Sequence, residues 1–125
     1  MKTLSGGVLT TLIVHSVCSA GGPALVQNAK AGAEVLKKCA SCHSADGSKR
    51  VGSTLAGVVG RKAGSAPGFH YSRAMKGAAV VWDDKSLDAY LASPEKFIPG
   101  NVMAFAGLSE VKDRANLIAY LNTLK

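Results

Sequence analysis

"KCASCHSADG" occupies Lys38–Gly47 and sets Cys39 and Cys42 three residues apart, with His43 directly behind the second cysteine. On a helical turn, positions i, i+3 and i+4 share one face. One turn of chain can therefore aim two sulfurs and one imidazole at a single flat object. Three simpler uses of these residues fit poorly. A thioredoxin-like redox pair needs a preceding strand in a βαβ setting, and the residues before Cys39 read as a glycine-containing helix. Zinc needs four ligands, and downstream of His43 the chain adds only the remote His70. A Cys39–Cys42 disulfide would close a very short loop and stabilise little.

C-x-x-C-H is the attachment pattern of c-type haem. The two thiols add to the porphyrin vinyl groups as thioethers, and His43 reaches the iron as proximal ligand. Candidates for a sixth ligand are His70, Met75, Met103 and the lysines. Met103 lies in "IPGNVMAFAGL" (Ile98–Leu108), a loop framed by Pro99, Gly100 and Gly107. A lone methionine is usually core filler. Beside a haem, a loop of this kind can bring its thioether to the iron.

The remaining chain suits that reading. Its 125 residues point to one domain. Lys2, the apolar run Val8–Val14 and the small residues around Cys18-Ser19-Ala20 make residues 1–20 an expected secretory signal, leaving a mature domain over 21–125. The apolar run is shorter than the about 20 residues that span a bilayer, so no stable membrane insertion is expected. Cleavage would remove Lys2 from a net charge of +7 and Cys18 from three cysteines. Three helices are expected: Asn28 to about Cys39, a second capped by Asp83 or Asp84 and ending before Pro94, and a third from a Ser109 cap to about Leu124. Val111, Ala115, Leu117, Ile118, Tyr120, Leu121 and Leu124 give the third a wide apolar face. About forty Gly- and Ser-rich residues separate the first two helices, with "AAVVW" the only candidate strand. Loops this long need an anchor. With 14 glycines and 6% aromatics, side chains alone do not obviously provide one.

"CASCH", "GRKAGSAPGFHYS", "VVWDDKSLDAYL", "SPEKFIPGNVMAFAGL" and "RANLIAYL", in that order, make the sequence resemble the class I c-type cytochromes, the family of the mitochondrial carrier and its small bacterial relatives. The resemblance covers roughly residues 28–125. It implies an all-α cytochrome c fold, with about three main helices and long loops around one haem c held through Cys39 and Cys42. It implies His43 and Met103 as axial ligands, and Arg61, Tyr71 and Trp82 around the haem propionates. Tyr90 matches the tyrosine near the methionine sulfur. Leu55, Phe69, Leu91, Phe105 and Leu117 match the pocket wall, and Gly32 and Tyr120 match the crossing of the first and last helices. Asn101 stands where the family usually has a hydroxyl residue that helps a propionate, and its amide can donate instead. Ser53 replaces a proline whose carbonyl accepts the proximal histidine's other N–H. Met75 replaces a polar residue near the haem interior.

The function implied is a one-electron carrier in the periplasm, and not an enzyme. The alternative is a haem catalyst or gas sensor with an open sixth position. A catalyst would need a distal acid/base, and His70, the only spare histidine of the expected mature domain, reads as a surface residue. The positive charge favours redox partners with acidic docking surfaces. No recognition motif for nucleic acid accompanies it. A monomer is expected. Lys38 and Lys96 keep two positions of the lysine ring that the mitochondrial carrier places around its haem edge, while Glu95, Val102, Ser109 and Glu110 fall at others.

Overall fold

The computed structural model describes residues 27–125, so the signal expected over residues 1–20 lies outside the described residues. Five helices follow in order: α1 (Ala29–Leu36), α2 (Arg73–Gly77), α3 (Asp84–Ala92), α4 (Pro94–Phe97) and α5 (Val111–Leu121). The described residues form no strand, only an isolated bridge between Lys62 and Val81. The described residues form an all-α fold with α1, α3 and α5 as its main helices, the architecture that the resemblance implies.

Local chemistry sets most of the boundaries. Asn28 caps α1, its side chain accepting from the Ala31 N–H. α1 stops at Leu36 rather than Cys39, and the chain continues as tight turns. Within those turns the His43 N–H donates to the Cys39 carbonyl at 2.9 Å, so the C-x-x-C-H residues keep one helical turn. Asp83 caps α3 through a reciprocal box with Ser86. Leu87, Tyr90 and Leu91 face inward from that helix, as their spacing predicts. Pro94 ends α3 and opens α4 at its first position, where its missing N–H costs nothing.

α1 and α5 cross at Gly32. A Cβ there would lie inside the backbone carbonyl of Asn116 and 2.8 Å from the Tyr120 Cβ. Only glycine allows this approach, which packs Val35 against Leu117, Ile118 and Leu121. α5 departs from expectation in two ways. It starts at a Glu110 cap that makes no side-chain hydrogen bond, rather than at Ser109. Val111 is 51% exposed and lies off the apolar face. The buried face instead takes in Arg114 and Asn116. Arg114 donates to Asp88 at 2.7 Å and to the Leu108 and Ser109 carbonyls, which ties α3, the preceding loop and α5 together. The Asn116 amide oxygen accepts the Asn28 N–H at 2.9 Å. Both polar groups are therefore buried with partners, which is the condition for burying them at all.

The long glycine-rich segment finds its anchor partly in backbone. The Gly60 N–H donates to the Trp82 carbonyl, the Trp82 N–H to the Arg61 carbonyl, and the Ala63 N–H to the Val80 carbonyl. Trp82 is 6% exposed and packs with Tyr90 and Phe97, at centroid distances of 5.0 and 6.4 Å. A Gly32→Ala substitution is expected to lower stability by about 2–3 kcal/mol, because the helices must separate to admit the methyl group. A urea midpoint equal to that of the parent would show that the crossing tolerates a side chain.

Candidate functional site

Between the α1–α5 pair and the Trp82 cluster lies an apolar cavity of about 230 Å³. Its wall carries Cys39, Cys42, His43, Arg61, Tyr71, Trp82, Tyr90, Met103 and Phe105, together with Leu55, Leu91 and Leu117. A neighbouring cavity shares Cys42, His43, Tyr71 and Met103 with it, and adds Phe69, His70 and Asn101. Residues spread over more than sixty positions of sequence thus meet around one space. Leu87, Val58 and Leu121 also line it. Leu87 and Leu121 fit the apolar faces of α3 and α5, and Val58 lies in the glycine-rich segment, so nothing in the sequence separates pocket wall from core.

The imidazole is held firmly. His43 Nδ1 lies 2.6 Å from the Ser53 carbonyl oxygen. A carbonyl only accepts, so Nδ1 carries the proton and Nε2 keeps its lone pair for a metal. The bond forms through Ser53, in the place that the resemblance gives to proline. Gly52 adds a further constraint that its residue type does not show. A Cβ on Gly52 would sit 2.7 Å from His43 Cε1 and 2.9 Å from Nδ1, so the ring lies directly against that glycine. The Gly52 N–H in turn donates to the Cys42 carbonyl at 2.7 Å. Residues 52 and 53 therefore fix both the plane and the tautomer of His43.

Met103 belongs to the same cavity wall, positioned consistently with His/Met axial ligation. Its Sδ accepts from the Tyr90 hydroxyl at 3.7 Å. Burial pushes the Tyr90 phenol up to about 12, so it stays protonated and remains a donor. Cys39 and Cys42 are not bridged. Burial also raises the Cys39 thiol, with Lys38 pulling weakly the other way. A redox-active thiol needs the opposite shift.

The polar residues are distributed as follows. Arg61 donates to the Thr54 and Ala56 carbonyls at 2.8 and 3.0 Å, which holds the loop carrying Leu55. The Tyr71 hydroxyl accepts the Ala66 N–H at 3.2 Å and keeps its own proton available. Asn101 is arranged differently from the propionate donor that the resemblance implies. Its Nδ2 donates to the Ile98 carbonyl at 2.9 Å and to Glu95 at 3.4 Å, and its Oδ1 accepts the Met103 N–H at 3.0 Å. His70 is exposed at the edge of the second cavity.

A haem fits this donor set. Two unbridged thiols one turn apart, an imidazole with Nε2 available, a half-buried thioether and an apolar slot are what a covalently attached porphyrin requires. The cytochrome c family model matches residues 29–125. The chain belongs to the cytochrome c family. It is an electron carrier of that family, not an enzyme, and its Cys39/Cys42 motif carries covalent haem c. A cytochrome c of Euglena viridis is 48% identical over 89 residues, covering 70% of this chain and 87% of the relative. A cytochrome c2 of Rhodomicrobium vannielii is 44% identical over 112 residues, covering 82% and 90%. A c-type cytochrome, cyt cy, of Rhodobacter capsulatus is 51% identical over 98 residues, and there the match covers 78% of this chain and 49% of the relative. Among the described residues, no helix is long and apolar enough to cross a membrane.

Tyr90 also supplies a pH test of the site. Its folded-state value lies above its ordinary 10, so the folded protein holds the phenol proton more tightly than the unfolded chain does. The resulting stability is complete below pH 10 and is lost as pH rises towards 12. The urea midpoint should fall across that window, and Tyr90→Phe should remove this part of the fall. Equal declines in both proteins would mean that Tyr90 is not buried against the thioether.

Proposed function

We propose that this cytochrome carries single electrons in the periplasm between membrane-bound or soluble redox proteins, with His43 and Met103 as the two protein ligands of its iron. When bound, haem supplies an iron that gains and loses one electron. The protein keeps that exchange free of rearrangement. Ser53 and Gly52 prevent His43 from rotating, and Tyr90 orients the Met103 sulfur. A thioether ligand and an apolar wall both favour the ferrous state and raise the reduction potential. Arg61, Tyr71 and Trp82 are the donors proposed for the propionates, since partly buried carboxylates need hydrogen bonds and positive charge. Phe105 adds to the apolar wall.

The observation that carries this reading is the meeting of Cys39, Cys42, His43 and Met103 on one cavity wall, with both prospective ligands already hydrogen-bonded into place. Carbon monoxide added to the reduced protein at neutral pH should leave its spectrum unchanged. Met103→Ala should bind it readily and lower the reduction potential, on a scale where axial ligation spans about 0.8 V. A parent protein that bound carbon monoxide quickly and fully would point to the catalyst or sensor class. A Met103→Ala variant with the parent's potential would assign the sixth ligand elsewhere.

The docking surface follows from the rim. The excess of positive charge, still present once Lys2 is removed with the signal, favours acidic partners, yet little of it lies at the cavity mouth. Lys38, on the cavity wall, faces Asp113 at 3.4 Å. Val51 and Val102 line the neighbouring cavity and are 82% and 80% exposed. A partner meets apolar surface there, with positive charge spread more widely. Stopped-flow reduction by an acidic partner should therefore slow with ionic strength less steeply than for a mitochondrial cytochrome c ringed with lysines. An equally steep decline would contradict this.

A further inference from the structure

We propose that Asn101 is a positioning residue for Met103, and that the Glu95 carboxylate anchors it. This rests on the reading of Met103 as an iron ligand and concerns how firmly that ligand is held. The Asn101 side chain bridges two parts of the chain. Its Nδ2 donates to the Ile98 carbonyl at 2.9 Å and to Glu95 Oε2 at 3.4 Å. Those two bonds use both amide hydrogens and fix the amide plane. The plane then aims Oδ1 at the Met103 N–H, 3.0 Å away. Glu95 stands in the first turn of α4, and its other oxygen accepts the Gly100 N–H at 3.1 Å. One carboxylate thus binds both the backbone and the side chain at the start of the segment that delivers Met103.

The consequence is a ligand fixed at both ends. A methionine side chain has several rotatable bonds and loses much freedom when ordered. Asn101 fixes its root at the backbone N–H, and Tyr90 fixes its tip at the sulfur. The Phe105 N–H closes the far side on the Met103 carbonyl at 2.9 Å. An asparagine accepting from the N–H two residues on is a local turn that a hydroxyl residue makes more weakly. With both Nδ2 hydrogens engaged, Asn101 has no donor left for a propionate.

The test is the equilibrium affinity of imidazole for the ferric holoprotein, which reports how readily Met103 leaves the iron. Asn101→Ala should raise that affinity about tenfold, the scale of one hydrogen bond. Glu95→Ala should raise it about threefold. The double variant should be no weaker-held than Asn101→Ala alone, because one device is lost only once. Asn101→Ser keeps an acceptor two residues before Met103 and should recover part of the loss, with the reduction potential following the same order. Additive effects of the two alanine substitutions would overturn the coupling to Glu95. An Asn101→Ala protein with unchanged imidazole affinity would overturn the positioning role, whether it is less stable or has a shifted potential. Met103→Ala separates that failure from failure of the underlying reading. If it binds imidazole tightly while Asn101→Ala does not, Met103 is the ligand and the clamp is wrong. If Met103→Ala too is unchanged, the ligand assignment falls, and the clamp with it.

Discussion

The 2.6 Å hydrogen bond from His43 Nδ1 to the Ser53 carbonyl is the fixed point around which the site is arranged. It settles which ring nitrogen carries the proton, and so which is left for a metal. It also ties the C-x-x-C-H turn to a loop ten residues away, and that loop is held in its turn. The Leu55 N–H donates to the Ser44 carbonyl, and Arg61 binds the Thr54 and Ala56 carbonyls. Arg61 is joined to Trp82 through backbone, and Trp82 packs on Tyr90, which reaches the Met103 sulfur. A continuous set of bonds and contacts therefore runs from one prospective iron ligand to the other through the glycine-rich segment.

That segment explains the composition. Backbone hydrogen bonds around Trp82 hold it, and Leu55 and Val58 turn their apolar surface to the cavity while Ala63 joins the core. A chain of this size builds only a modest core, and part of that core is also the wall of the cavity. A bound haem would add dispersion contacts along that wall. Because thioethers would keep haem attached in the unfolded chain, the gain would come from packing on the haem, not from mass action between free partners.

Much of this was legible in the sequence because it is local. Asp83, Ser86 and Pro94 bound α3 through chemistry within a few residues of each other. The spacing of Cys39, Cys42 and His43 needs only one turn of chain. What stayed hidden depends on distant neighbours. Gly52 is one glycine among many until the His43 ring is placed against it. Arg114 looks like a solvated charge until Asp88 and two carbonyls surround it. Val111 fits the apolar period of α5 but lies on a first turn that nothing covers. α2, a single short helix started by a Ser72 cap, has too few residues to show a period. The Asn101 bonds were invisible for a related reason. An amide can donate or accept, and only the positions of Glu95, Ile98 and Met103 decide which it does.

The measurement closest to the centre of all this is the mass of the purified polypeptide, taken with thiol labelling under denaturing conditions. Covalent haem at the C-x-x-C-H turn predicts one added porphyrin and no label at Cys39 or Cys42. A polypeptide of unmodified mass, with those two cysteines free to react or bridged to each other, would contradict it.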